Sequence, residues 1–350
     1  MKHESESSFR RIESVAGGNL FTRSLTARTI ASLHRRSIAD VAGEMWPNDR
    51  VLLQHLTRAA SNPAMTSVAG WAAELAQKRT ADVLEALGPV SGAADVLKQC
   101  LVLDWDGAGL ISAPGFSAQA GNSGFVQEGH PIPVYQLPLG PAQLQPYKLA
   151  SIAALTREMI ESSNAEALIS DALVRSTGLA LDAVFFGSAA ATAAAPAGIR
   201  NGIATSAASA NTDPFAAVFE DVATLINSVS AVGGKGPYLF VAGPGRAASF
   251  SMRIDSAAST IIPMASSAVG NDLICIAPKA IAAALSADPD TETTNAGTLV
   301  MDTAPGAAGT TGAGEKEMWQ TDSVAVKVRW PVTWALRAAG AVAWLTPAWN

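Results

Sequence analysis

Prolines at positions 131, 133, 138, 141 and 146 set the tightest limit on what this chain can fold into. A proline has no amide donor and its ring fixes φ, so neither a helix interior nor a central strand accepts a series of them. Residues 97–147 therefore read as extended chain. A Leu-Val-Leu run at 101–103 comes first, then glycines and prolines, then Phe125-Val126-Gln127-Glu128-Gly129-His130-Pro131-Ile132-Pro133-Val134. The expected form is a hairpin at an edge or standing free as an arm. A two-stranded ribbon alone is marginal in water, so one this long and this poor in charge needs a surface to lie on, and a neighbouring copy of the chain is the natural one.

Helical grammar returns at Thr156. Ser163-Asn164-Ala165-Glu166 forms a capping box in which serine and glutamate satisfy each other's orphan amides, so a long helix is expected over 163–187. Its apolar stripe is read as Ala165, Leu168, Ile169, Ala172, Leu173, Ala180 and Ala183, running through to Phe185-Phe186, with Gly187 as the stop. A glycine-punctuated loop follows at Gly198–Gly202. Further on the pattern predicts a helix from Pro214 to Val229, a buried strand Tyr238–Ala242, a helix after Pro244-Gly245, and a strand Leu273–Ala277. Residues 286–316 read as a mobile loop with one strand at Thr298–Met301. Asp322–Trp330 alternates sides with period two, and Ala338–Leu345 is a more continuous apolar strand.

Upstream, Thr80–Leu87 reads as a helix stopped by Gly88-Pro89, after a helical Gly70–Leu75 segment. Residues 1–43 hold the chain's only basic concentration, Arg10, Arg11, Arg23, Arg28, Arg35 and Arg36, with helical spacing from Leu25 to Ala42. Two readings stand for it: a solvated arm or linker, and a DNA-facing or scaffolding-like arm.

Charged residues make up 15% of the 350-residue chain, against a usual value of about 25%. Such a chain either buries its fold deeply or buries much of its surface against other subunits. A net charge of −6 argues against a surface that binds nucleic acid as a whole. Cys100 and Cys275, each in an apolar run, are expected as buried free thiols, since two cysteines make no disulfide framework. The polar start, Met1–Ser8, has no secretory character, and no run of about 18 clean apolar residues predicts a membrane span.

No catalytic constellation emerges. The chain lacks a P-loop, a dinucleotide glycine fingerprint, His-Glu-x-x-His and Cys-x-x-Cys, and its histidines stand only at 3, 34, 55 and 130. His130, between Gly129 and Pro131, reads as a surface or interface residue. Glu158 and Glu161 read as solvated helix charges. The expectation is a non-enzyme with no cofactor and no metal.

The order of these parts, a basic helical arm, a proline-rich hairpin, one long capped helix and a mixed α/β region with a returning strand pair, resembles the Hong Kong 97 fold of tailed-bacteriophage major capsid proteins. Phe125–Val134 is similar to the family's Glu-Gly segment of the extended loop. Leu149-Ala150 through Glu158 to Glu161, then Asp182–Gly187, resembles the stretch along the spine helix. Met318–Val328 and Gly340–Ala343 resemble the closing strands. Leu56–Ala60 to Trp71–Leu75 looks like the arm of capsid proteins whose relatives occur fused to a prohead protease, though no protease is seen in this chain.

The resemblance implies an α+β fold divided into an N-terminal arm (1–111), an extended loop (112–147), a peripheral domain with the spine helix (148–213), an axial domain (214–317) and the closing strands of the peripheral domain (318–350). It implies pentamers and hexamers that close an icosahedral shell around double-stranded DNA, bound without sequence specificity. Portal and decoration proteins would be partners, no membrane would be involved, and the protein would reside in the virion, passing through host cytoplasm during assembly. Intersubunit contact would fall to Phe125, Glu128, His130, Ile132, Tyr135 and Leu137, and DNA would be faced by Arg10, Arg11, Arg35 and Arg36. Isopeptide cross-links of the kind some relatives form are not expected, because no lysine lies between Gln99 and Tyr147 and no asparagine between Ala296 and Trp349. Two alternatives stay open: an encapsulin compartment on the same fold, and a two-domain α/β enzyme, whose signature would be a pocket of converging titratable groups.

Overall fold

The computed structural model describes residues 20–34, 36–57, 83–105, 109–115, 125–128, 130–132, 141–158, 165–253, 260–286, 289–300 and 315–349. In chain order its helices are α1 (Leu20–His34), α2 (Ile38–Met45), α3 (Arg50–Thr57), α4 (Gly92–Leu97), α5 (Ala165–Phe185), α6 (Pro214–Gly233) and α7 (Pro244–Arg253). Its strands are β1 (Leu101–Asp104), β2 (Ile111–Pro114), β3 (Pro141–Leu144), β4 (Lys148–Thr156), β5 (Tyr238–Ala242), β6 (Ile261–Ala265), β7 (Leu273–Ile276), β8 (Ile281–Leu285), β9 (Asp290–Thr294), β10 (Thr298–Val300), β11 (Glu315–Glu317), β12 (Ser323–Leu336) and β13 (Val342–Leu345). The composition is α+β, as expected. The chain divides into two compact units: Met1–Leu75, Ala150–Ser176 and Pro289–Arg329 form the first, and Ala76–Leu149, Thr177–Asp288 and Trp330–Asn350 the second.

In the first unit α1 is enclosed on every side. Leu25, Ala27, Ile30 and Ala31 are buried, and so are Thr22, Ser24, Thr26 and Thr29. A polar helix can be buried this way because its hydroxyls are satisfied within the helix: Thr26 Oγ1 donates to Thr22 O at 2.9 Å and Thr29 Oγ1 to Leu25 O at 2.9 Å. Leu25, Ile30 and Val41 join Leu155, Leu173, Val324, Val326 and Val328 in one core. Ala27, Ala42, Trp46 and Leu52 make a second, smaller one. Ser37 caps α2, and Asp49 accepts from Leu52 N at 3.0 Å at the start of α3. The expected solvated arm is thus corrected for residues 20–34 and 36–57, which are part of a packed unit.

The 286–316 region also departs from expectation. β9 pairs antiparallel with β12, from Asp290 opposite Arg329 to Thr294 opposite Ala325, and β10 pairs with β11. Threonine- and charge-rich β9 carries no apolar face to announce a strand, so its partner decides it. Residues 301–314 lie outside the described ones. β12 is longer than predicted because Pro331 does not end it. That residue falls between Arg329, the last partner of β9, and Val332, the first partner of β8, where the ladder changes strand and a missing donor costs least.

The second unit is built on a four-stranded sheet in the order β13-β7-β5-β6, with β5 parallel to β6 and antiparallel to β7. Every residue of β5 and β7 is buried, which matches their uninterrupted apolar sequence. Helix α6 starts at Asp213, whose side chain accepts from Phe215 N, with Pro214 in the first turn. It packs on β7 and β13 through Ala217, Val218, Val222, Leu225 and Val229, while α7 lies on β5 and β6. By length and composition α6 would suffice to cross a membrane, yet its sheet-facing side includes the buried Asp221. β1 runs parallel to β8, and the last residues of β12 run antiparallel to β8.

The long helix is observed as Ala165–Phe185, close to the predicted span; the capping-box residues Ser163 and Asn164 lie outside the described residues. Its stripe matches the one predicted at Leu173, Phe185 and Phe186 and departs from it elsewhere, while the side chains of Ala165, Leu168, Ile169 and Ala172 lie outside the described ones. Leu173, Val174, Thr177, Leu181, Asp182 and Phe185 are buried, whereas Ala180 and Ala183 are exposed. Alanine suits either face of a helix, so an alanine-rich pattern leaves the rotation of the stripe open. Helix α4, with Ser91 as its cap, was not predicted.

Candidate functional site

The predicted hairpin exists at its base. β2 pairs antiparallel with β3, Ile111 opposite Leu144 through Pro114 opposite Pro141. The two prolines close the ladder, as a residue without an amide donor must. This base does not stand free: Ala113, Ala142 and Leu144 are buried with Ala282 and Ala284, beside Leu101 and Trp105. Arg337 Nε reaches Pro114 O at 2.8 Å and steadies the outgoing strand. Farther out, Phe125 and Ile132 are 111% and 79% exposed, and Val126, Glu128, His130 and Pro131 are exposed as well. His130 N donates to Gln127 O at 3.0 Å, which turns the chain there. Tyr135 and Leu137 lie outside the described residues. The arrangement is a rooted stem carrying large apolar side chains in water, a surface whose chemistry is burial rather than catalysis.

Of the arginines expected to face DNA, Arg10, Arg11 and Arg35 lie outside the described residues. Arg36 forms a two-pronged pair with Glu44, NH1 to Oε2 at 2.8 Å and NH2 to Oε1 at 2.6 Å. That pairing raises the Arg36 pKa and holds the Glu44 carboxyl below its ordinary value. The local charge is neutralised, which leaves little for a phosphate. Arg23, of the same basic stretch, pairs with Asp49 at 2.8 Å, and Arg28 NH1 donates to Thr291 Oγ1 at 3.1 Å.

Two buried carboxylates organise the second unit. Asp182 accepts from Ser91 Oγ at 2.5 Å, Ser266 Oγ at 2.5 Å, Ala93 N at 2.9 Å and Gly92 N at 3.1 Å. A helix start carries unpaired amides and a partial positive charge, so a carboxylate belongs there. Gly92 is required, because a Cβ would meet Ala265 O at 2.8 Å. Asp221 accepts from Ser209 N at 2.6 Å and from Trp349 Nε1 at 2.8 Å. A lone acid amid apolar helix residues was the available sequence signal for both; its partners, up to 128 positions away, were not readable.

The two hydroxyls that donate to Asp182, those of Ser91 and Ser266, are themselves buried, at 0% and 4% exposure. Burial raises the Cys100 thiol to about 12 and pushes the Cys275 thiol upward as well, so neither is a ready thiolate. Cys275 is fully buried, while Cys100 is only half-buried and donates to Val96 O. Among the described residues no group of three or more His, Cys, Asp or Glu side chains could hold a metal ion.

A curated relative, the capsid polyprotein of Pseudomonas phage PAJU2, is 26% identical over 370 aligned residues, which cover 94% of this chain. The chain spans about half the length of that relative, 54% of it. Among solved structures, a chain of Mycobacterium phage Adephagia is similar with a TM-score of 0.49 at 16% identity, covering 74% of this chain and 91% of its own. One from Mycobacterium phage Cain gives 0.48 at 17% identity with the same coverage. A chain from the satellite phage P4 procapsid that includes the size determination protein gives 0.48 at 9% identity, covering 86% and 96%. The sequence model of the phage capsid family matches residues 75–268, from before α4 through the β2–β3 hairpin, α5, α6 and α7 to β6. With more than half of its length matched, the chain belongs to the phage capsid family.

Proposed function

We propose that this protein is the major capsid protein of a tailed double-stranded DNA bacteriophage, assembling through pentamers and hexamers into an icosahedral shell. The observation that supports the reading, beside family membership, is the exposure of two large apolar side chains, Phe125 and Ile132, in the segment beyond the β2–β3 hairpin base. A charge content of 15% fits a subunit whose surface is buried against copies of itself. On this reading Phe125, Glu128, His130, Ile132, Tyr135 and Leu137 meet a neighbouring subunit, and residues 112–147 are the extended loop. Residues 148–213 and 318–350 form the peripheral domain of a Hong Kong 97-type subunit, 214–317 the axial domain, and 1–111 an arm whose helices from Leu20 to Thr57 pack into the body. The protein resides in the virion and in host cytoplasm during assembly, with packaged DNA, portal and decoration proteins as partners. DNA contact falls to Arg10, Arg11 and Arg35 rather than to the paired Arg36.

Light scattering after size-exclusion chromatography, with negative-stain microscopy of the peak, tests the reading. Capsomers or shells are expected, and a stable monomer at micromolar concentration would overturn it. Deleting Ser117–Pro141 should leave soluble, folded subunits that do not assemble, because the loop adds contact area and little core.

A further inference from the structure

After β13 the chain makes a short tail, residues 346–349. Among the described residues no backbone hydrogen bond ties this tail to the rest of the second unit. It is held by side chains. Thr346 Oγ1 donates to Asp272 Oδ1 at 2.6 Å, and Asp272 in turn pairs with Arg200 at 2.5 Å. Three residues on, Trp349 is 5% exposed, donates its indole N–H to the buried Asp221 at 2.8 Å, and stacks on Phe250 at 6.4 Å and 15°. Arg246 and Arg253 lie 5.6 and 5.7 Å from the same indole ring.

Two of these partners reach outward. Asp221 also accepts from Ser209 N at 2.6 Å, so it joins the tail to the loop that leads into α6. Arg253 lies 5.6 Å from the ring of Phe215, which is 59% exposed. A buried indole, a guanidinium and an exposed phenyl ring thus follow one another from the inside of the unit to its surface. The β5 and β7 strands are held in a ladder of main-chain hydrogen bonds, to which none of these side-chain contacts contributes.

We propose that residues 346–349 are a latch: seating Trp349 between α6 and α7 fixes the Ser209–Phe215 loop and the end of α7, and its release frees both while leaving the sheet intact. The physical basis is the contrast in tethering. A segment held by side chains alone opens in a local step far below global unfolding, and whatever it covers opens with it. The proposal holds for a single subunit and does not depend on the shell reading.

Hydrogen exchange with mass spectrometry on the full chain tests it, each variant compared with wild type in the same assembly state as judged by chromatography. In Trp349→Ala, peptides over 206–216 and 247–253 should exchange about tenfold faster or more, with those over β5 and β7 unchanged. Trp349→Phe keeps the ring contacts and loses the N–H donor, so it should speed exchange at 206–216 and leave 247–253 protected. It also carries the test alone should the alanine variant not fold. Faster exchange spread evenly over the second unit would make Trp349 an ordinary core residue and overturn the latch, as would no change at either segment.

Discussion

The β9–β12 pairing of the first unit and the β13-β7-β5-β6 sheet of the second solve the same problem in opposite ways. In the first, one side of β12 sends Val324, Val326 and Val328 into the core, while Lys327 and Arg329 on the other side pair with Glu292 and Asp290 directly across the ladder. In the second, every residue of β5 and β7 is buried, and the two carboxylates retained inside, Asp182 and Asp221, each accept from more than one donor. With few charges to spend, the chain pairs them across a solvated strand face where a pair is worth little. Inside, it uses an acid only where several donors converge. Specificity of packing therefore rests on the second unit.

The sharpest way to break the contrast is at Phe240, buried in β5 with its ring 5.3 Å from that of Phe250. Phe240→Ala should lower stability by about 3–5 kcal/mol in urea denaturation, because it combines lost transfer energy with a cavity among rigid strands. A loss below about 1 kcal/mol would mean that this sheet is no more demanding than the other. Next in size, Asp182→Ala orphans the amides of Gly92 and Ala93 at about 1–3 kcal/mol each. Asp182→Asn should recover part of that loss, since an amide oxygen still accepts, and thermal melts of the three proteins would rank them.

The first unit should respond weakly. A double-mutant cycle on Lys327 and Glu292 should give a coupling of about 0.2–1 kcal/mol that fades in salt, because both side chains are substantially exposed. A larger, salt-insensitive value would show that the pair is desolvated by a neighbour. The smallest expected effect is on acid stability. Hydrogen bonds from Ser209 and Asn211 hold the exposed Glu220 carboxyl below its ordinary value, as Arg36 does for Glu44. Folded-state values below the unfolded ones mean that the folded chain binds fewer protons. The stabilisation is present above the ordinary carboxylate value of about 4.3 and is lost as pH falls through the lowered ones. Glu220→Gln and Glu44→Gln should each flatten the acid limb of a stability-versus-pH curve by slightly lowering the plateau above the ordinary carboxylate value, with variant and wild-type curves converging in acid.

Local chemistry settled a large part of this protein in advance. Backbone constraints act within a few residues, so prolines marked 97–147 as extended chain and Gly187 the stop of α5. Unbroken apolar runs marked β5 and β7, and Pro214 marked the start of α6. The exposed residues 125–128 and 130–132 fall inside the expected extended chain, which the prolines marked for the same reason.

What required the tertiary structure were the properties that depend on a partner far along the chain. Which face of alanine-rich α5 is buried, how a hydroxyl-rich α1 comes to be enclosed, why β12 runs through Pro331, and where Arg36, Asp182 and Trp349 find their partners all fall in this class. Alanine and threonine carry too little free-energy difference between inside and outside to choose a face alone. A buried acid or indole records that it needs a partner and leaves the partner's identity to the fold.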